Sequence, residues 1–197
     1  MQSPKPQRIL NVGGGPGRDL PNHFKGWTQD LLDIDPSVKP EIVCDAKKMQ
    51  VLKPSIYGAV YCSHTLEHFY RHEVPAVLAG FLHVLKPDGF TQIVVPDLQE
   101  LMERVVKDCR EIDETWYMSS GGPISFHDVL YGWGKAMAQG NLYYAHKTGF
   151  TEKTLTKALS RAGFHHVMTA RDSGNLHAFA FKGKEKPSAL RLRTLGV

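Results

Sequence analysis

A short apolar run, RILNV (8–12), passes without a break into NVGGGPGRD (11–19). Aliphatic and β-branched residues in such a run read as a buried strand. Gly13, Gly14, Gly15 and Gly17 then let the backbone turn sharply and approach a ligand with no Cβ in the way. The loop is expected to open a helix, whose first amides favour a negative group. A dinucleotide fingerprint G-x-G-x-x-G would need glycine at 18, where Arg18 stands, and the Gly-Lys-Ser/Thr of a Walker A loop is absent. Glycine richness alone also fits a purely structural turn.

Further runs repeat the strand pattern. TQDLLDI (28–34), EIVCD (41–45), YGAVYC (57–62) and GFTQIVV (89–95) are short and apolar on both faces, as a parallel sheet covered by helices requires. From Val74, the residues Val77, Leu78, Phe81, Leu82 and Leu85 recur at helical spacing, with Pro75 in the first turn and Lys86-Pro87-Asp88-Gly89 as the stop. Asp97 caps a second helix with Leu98, Leu101, Met102, Val105 and Cys109 on its apolar face. In GFTEKTLTKALSRAGF, Thr151 is the cap, Phe150 and Leu155 form a hydrophobic staple, and Gly163 ends the helix. Residues 165–171 and 176–182 flank a Ser-Gly-Asn turn and suit an antiparallel hairpin. Five β units with helices between most of them, then a helix and a hairpin, predict an α/β doubly wound domain over 1–183.

Residues 113–148 stand apart. They hold Trp116, Tyr117, Phe126, Tyr131, Trp133, Tyr143 and Tyr144 among glycines and prolines, and read as a lid insertion with its own small core or as the wall of a substrate pocket. The densest basic run begins at Lys182, so 184–197 is expected to be a flexible basic tail. The rest of the charge, +4 in net terms, is scattered. With no aromatic–basic stripe, no nucleic-acid partner is indicated. No run reaches the ~20 apolar residues of a membrane span, and the N-terminus lacks a signal-peptide pattern. Cys44, Cys62 and Cys109 are far apart without C-x-x-C, which disfavours disulfides and a cysteine zinc site and makes the cytoplasm the expected location. No feature sets an oligomeric state.

Asp33 closes the second strand, about twenty residues after the glycines, where a doubly wound sheet brings a carboxylate within reach of both hydroxyls of a ribose. Asp45 closes the third strand. It can accept from an adenine amino group beside the Ala46 amide, or simply cap the segment 46–50. Asp35 reads as a turn residue before Pro36. In order, ILNVGGGPGRDL, LLDIDP, VCDAKKM, VYCSHTLEHF, VLKPDGFTQIVVPD and GFTEKTLTKALSRAGFHHV resemble the class I S-adenosylmethionine-dependent methyltransferases, over residues 8 to about 182. Small bacterial methyltransferases of the type 11-like kind are the nearest pattern. The resemblance implies a three-layer sandwich around a mostly parallel seven-stranded sheet with its last strand antiparallel, and S-adenosyl-L-methionine as cofactor. It implies that Asn11, Gly13, Gly14, Gly15 and Gly17 face the methionine part of the cofactor. Asp33 and Ile34 would then hold the ribose, Asp45 and Ala46 the adenine, and Cys62 and His64 would line the site after the fourth strand. Two departures stand out: only residues 36–41 join the second and third strands, and Gly58-Ala59 replaces an acid often found at the start of the fourth.

Within YCSHTLEHFY (61–70), His64, Glu67 and His68 spell H-x-x-E-H, the inverted zinc-peptidase signature. That chemistry needs a long helix carrying both histidines and a further ligand. Between Gly58 and Phe69 there is no room for the helix, so no metal is expected, and Glu67 and His68 read as a first-turn acid and a packed or surface histidine. For methyl transfer to a hydroxyl, a general base helps by about 10²–10⁴-fold. The candidates are His64, His127 and His146, with Asp97 and Tyr131 as positioning groups. Members of the resembled family that methylate amino nitrogens often carry an Asn/Asp-Pro-Pro-aromatic sequence after the fourth strand, where this chain has Ser63-His64-Thr65-Leu66; the expected acceptor is a small hydroxylated or sugar-like molecule. A non-catalytic cofactor-binding protein on the same fold stays open, as does a nicotinamide-dependent oxidoreductase, which Arg18 disfavours.

Overall fold

The computed structural model describes residues 6–119 and 121–196. The first five residues and Val197, at the ends of the expected domain and tail, lie outside them. Strands β1 (Arg8–Val12), β2 (Thr28–Asp33), β3 (Ile42–Val43), β4 (Tyr57–Ser63) and β5 (Leu85–Pro96) are joined at the far end by β8 (His166–Asp172) and β9 (Asn175–Phe181). They form one seven-stranded sheet in the order β3-β2-β1-β4-β5-β9-β8. The first five pair in parallel, and β9 runs antiparallel to both β5 and β8. This is the expected α/β fold, with the last strand reversed.

The helices that cover the sheet depart from expectation. No α-helix follows the glycine loop; a single 3-10 turn, Asn22–Phe24, lies between β1 and β2. The links from β2 to β3 and β3 to β4 likewise carry 3-10 turns, Pro36–Val38 and Ala46–Val51. The first α-helix is α1 (Val74–Val84), with proline in its first turn as predicted. It packs against Met49 and, with Leu155 and Leu159 of α5 (Glu152–Ala162), covers one face of the sheet. Thr151 caps α5 and Gly163 closes it at φ 111°. The KPDG stop, by contrast, stays within the ladder as an irregularity between the pairs Tyr57–Leu85 and Ala59–Phe90.

The second face has thin cover. Phe24, Trp27 and Leu20 lie over Ile9, Ala59, Phe90, Phe179 and Phe181, together with Leu192 and Leu195. The two leucines belong to α6 (Ala189–Leu195). Within the expected tail, these residues thus form a helix that packs on an apolar face of the sheet. Arg191 reinforces the contact, its guanidinium 5.3 Å from the ring centres of both Phe90 and Phe181.

Residues 113–148 build a separate layer at the carboxyl edge of the sheet: a hairpin of β6 (Thr115–Ser119) and β7 (Gly122–Ser125), then α3 (Phe126–Tyr131) and α4 (Gly134–Ala138). Phe126 and Val129 pack with Leu101 of α2 (Leu98–Lys107) in a small core, over which Trp116 stacks on Phe126 with ring centres 5.2 Å apart. Helix α2 stops before Cys109, which is exposed, and Met102 is also exposed rather than on the buried face.

Candidate active site

The ends of β1, β2 and β4 converge on a cavity of about 330 Å³, within the range of small-molecule and cofactor sites. Gly13 and Gly15 line it, both at positive φ (70° and 58°), a conformation that disfavours side chains. A Cβ on Gly13 would lie 2.4 Å from Thr65 Oγ1, whereas one on Gly15 would meet nothing within 4 Å. The loop thus rests on Thr65 on one side and opens toward the cavity on the other. Thr65 Oγ1 donates to the Ser63 carbonyl at 3.0 Å and reaches those of Val12 and Gly13 at 3.2 and 3.4 Å. Arg18, where the dinucleotide fingerprint has glycine, takes the left-handed φ of 52° itself. Its guanidinium donates to Glu41 and to the Lys39 carbonyl, both at 2.6 Å, pinning the loop's far end to the β2–β3 link.

Asp33, Ile34, Asp45, Ala46 and His64 line this cavity. Asp33 Oδ1 accepts from the Asp35 amide at 3.0 Å, and Oδ2 has no hydrogen bond among the described residues. Asp45 takes the capping role: Oδ1 accepts from the Lys47 amide at 3.0 Å at the start of the 3-10 turn, while Oδ2 lies 3.5 Å from Lys47 Nζ. Four predicted contacts do not reach the cavity. Asn11 is buried within β1, and its amide fills the space beside Gly14, with neither polar atom paired among the described residues. Gly14 and Gly17 face away, and Cys62 is wholly buried, its thiol driven well up by desolvation. These residues shape the loop from beneath. Residues not anticipated include Val38, Phe69 and Lys147, and from the 113–148 segment Asn141, Tyr143 and Tyr144. The tyrosines were visible as part of an aromatic-rich stretch, but its folding back over the glycine loop was not.

A second cavity, of about 890 Å³, adjoins the first and is walled by Trp116, Tyr117, Trp133, Tyr144, Arg104 and Asn175 among others. His64, His68 and Tyr144 line both. His64 holds a positive φ of 49° while its amide donates to Val94 O at 2.9 Å. A non-glycine residue held there suggests a local constraint of the kind found at functional sites.

The other candidate bases and positioning groups are divided between the cavities and the rest of the fold. His127 and Tyr131 are exposed on α3, their rings 4.8 Å apart, and line neither cavity. Asp128 between them forms a capping box with Ser125, so this stretch serves the layer's own structure. Asp97 is buried and spent: Oδ1 caps α2 and Oδ2 pairs with Arg171. His146 does line the second cavity. Its Nδ1 bonds the Val129 carbonyl at 2.9 Å, and burial holds its pKa below the ordinary imidazole value.

The HTLEH stretch forms one 3-10 turn, Leu66–His68, so the long peptidase helix is absent. The turn nonetheless brings Glu67 and His68 against His146. Glu67 is 1% exposed, and neither carboxylate oxygen has a hydrogen-bond partner among the described residues. His64 Nδ1 approaches it at 3.5 Å, which is an ion-pair distance rather than a well-formed hydrogen bond. Burial pushes the Glu67 carboxyl up, and the neighbouring imidazoles, His64 foremost, together outweigh that push.

A seven-stranded sheet of this order, with the loops after its first, second and fourth strands around one cavity, defines the Rossmann-like methyltransferase fold. Residues 2–168 match a family described as a methyltransferase domain, and the chain belongs to that family. A search of curated proteins finds no match. Among solved structures, a SAM-dependent methyltransferase from Archaeoglobus fulgidus aligns at TM-score 0.59 and 15% identity, over 90% of this chain and 87% of its own. A SAM-dependent methyltransferase from Methanosarcina mazei aligns at 0.56 and 16%, over 93% and 95%. The 1,6-didemethyltoxoflavin-N1-methyltransferase of Burkholderia thailandensis, solved with 1,6-didemethyltoxoflavin and S-adenosylhomocysteine, aligns at 0.55 and 17%, over 90% and 72%. No helix among the described residues is long and apolar enough to cross a membrane.

Proposed function

We propose that the protein transfers a methyl group from S-adenosylmethionine to a small hydroxylated or sugar-like acceptor. The observation that carries this reading is the wall common to both cavities, formed by His64, His68 and Tyr144. The open face at Gly15 and the free Asp33 oxygen at the end of β2 fit a nucleoside-bearing cofactor in the first cavity. S-adenosylmethionine, the cofactor of class I methyltransferases, supplies a methyl group already activated on a sulfonium when bound. In this reading Asp33 accepts from the ribose, Asp45 Oδ2 accepts from the adenine amino group, and Ile34, Val38 and Ala46 give the base apolar contact.

With the donor already activated, the chain's main task is to hold the nucleophile about 3 Å from the methyl carbon and in line with the leaving group. The second cavity supplies that hold. Indole and phenol faces there can stack on a ring, while Arg104 and Asn175 offer partners for hydroxyls. His64, facing both spaces, is placed to take the proton that an acceptor hydroxyl loses.

Calorimetric titration with S-adenosylhomocysteine, with NADH as control, tests the cofactor. The expected result is one-to-one micromolar binding. Preference for NADH would overturn the reading in favour of an oxidoreductase. Incubation with labelled S-adenosylmethionine and a protein-free, nucleic-acid-free metabolite extract then tests the acceptor class. Label passing only to macromolecules would exclude a small acceptor.

A further inference from the structure

We propose that Glu67, His68 and His146 form a binding site for a divalent first-row transition-metal ion at the border of the acceptor cavity. Glu67 and His68 come from the turn after β4, and His146 from the segment that closes over it. Their ligand atoms all lie within 4.8 Å of one another. Two donors at about 2.05 Å from a common ion, at a tetrahedral angle, are about 3.4 Å apart. Loading the site therefore asks for side-chain shifts on the order of an ångström.

The histidines are already oriented for ligation. His68 Nδ1 lies 3.0 Å from the Ala145 carbonyl, and His146 Nδ1 lies 2.9 Å from the Val129 carbonyl. A carbonyl can only accept, so in the neutral rings the proton sits on Nδ1 and each Nε2 keeps its lone pair. Metal-bound histidines are usually fixed in this way by a partner on the other nitrogen. The two rings lie 4.9 Å apart and tilted, and each offers a ring nitrogen to the group that includes Glu67.

The carboxylate provides an independent observation. Glu67 is buried and has no hydrogen-bond partner among the described residues. An ionised carboxylate taken from water costs several kcal/mol unless compensated. The nearest basic side chain among the described residues, His64, is half-exposed and its Nδ1 lies 3.5 Å away. Meanwhile the turn is held in place by its backbone, the Glu67 carbonyl accepting from the Lys147 and Thr148 amides at 2.8 and 3.1 Å. A cation between Glu67 and the two Nε2 atoms would satisfy all three groups at once.

Two imidazoles and one carboxylate favour zinc, cobalt, iron(II) or manganese over magnesium or calcium, which prefer oxygen. Three protein ligands leave coordination positions open. Because His68 and His146 line the acceptor cavity, those positions would offer themselves to an acceptor oxygen or nitrogen and favour its deprotonated form. This role rests on the methyltransferase reading; binding of the ion does not.

The test uses tag-free protein stripped with a chelator and titrated with Co²⁺, followed by visible absorption and calorimetry. The expected result is one ion per chain, with new absorption bands from nitrogen- and oxygen-bound cobalt. His146→Asn and Glu67→Gln should each weaken binding by at least about tenfold, since even partners outside the ligand set carry losses of that size. If Glu67→Gln does not fold, His146→Asn carries the test, because that histidine is only partly buried and lies on a loop. Folded wild-type protein that takes up neither cobalt, zinc nor manganese stoichiometrically would overturn the site. So would cobalt binding unchanged in His146→Asn. S-adenosylhomocysteine binding, measured on the same sample, separates the two claims. Cofactor without metal removes this inference alone, and metal without cofactor removes the methyltransferase reading alone.

Discussion

Thr65 closes the space above Gly13 so tightly that a Cβ there would sit 2.4 Å from the threonine Oγ1. The loops after β1 and β4 are therefore fitted to each other, and the glycine is required by shape as well as by its φ of 70°. Gly13→Ala should cost about 1–3 kcal/mol through left-handed strain and overpacking. For a domain of this size that is a fall in Tm of about 2–12 °C. Thr65→Ala added to it should recover the overpacking part and leave the strain. Thermal melts of the two single variants and the double variant check this, and strict additivity would show that the two residues do not meet.

Asp33→Ala tests the ribose contact. Loss of a charge-assisted hydrogen bond of about 1.5–3 kcal/mol corresponds to roughly ten- to a hundredfold weaker S-adenosylhomocysteine binding. The affinity is read by calorimetry, and wild-type affinity in the variant would place the ribose elsewhere.

His64 combines a left-handed backbone with a position on the wall between the cavities. His64→Gly should be more stable than His64→Ala by about 1 kcal/mol, because only the alanine retains the strain. Both variants lose the imidazole, so methyl transfer should fall in both, by about 10²–10⁴-fold if the ring is the general base. Rates measured at saturating cofactor decide it, and an unchanged rate in either variant removes His64 from the chemistry.

Much of this was legible in the sequence. β-branched runs gave the sheet, and the acids closing two of those runs identified the cavity that Asp33 and Asp45 line. Other elements depended on tertiary context. Nothing local to RTLGV announces that Leu195 will lie over Phe24 and Phe179, because the need for cover arises in a face assembled from distant strands. His127 and His146 are equally plausible bases in one dimension. Only the turn of the chain after α4 sends one to solvent and the other to Glu67. Asp97 looked both like a cap and a positioning group, and the arrival of Arg171 from β8 settles it as structural. The H-x-x-E-H spacing, set aside as a peptidase signature, nonetheless holds two residues, Glu67 and His68, that converge with His146.

Glu41 sets an acid limit on the β2–β3 link. Its hydrogen bond from Arg18 and that from the Leu31 amide lower its carboxyl from 4.5 to about 2. A lowered folded-state pKa contributes stability above pH 4.5 that is lost as the pH falls toward 2. Both side chains are partly exposed, at 34% and 44%, so salt should screen much of the effect. Glu41→Gln should flatten that stretch of the Tm–pH curve at low salt, with less difference at high salt. Parallel curves for wild type and variant would show the pair to be energetically silent.

The reversed strand has a consequence for how the chain assembles. β5 lies at the centre of the sheet, yet its outer neighbour is β9, made of residues 175–181. During synthesis the glycine loop, its acids and the HTLEH turn emerge while Phe90, Ile93 and Val95 still line an unpaired edge. Everything from α2 through α5 must be translated before that edge is closed. The nascent protein thus carries a nearly complete cofactor crevice beside an exposed apolar strand, the kind of surface on which chains aggregate and chaperones act.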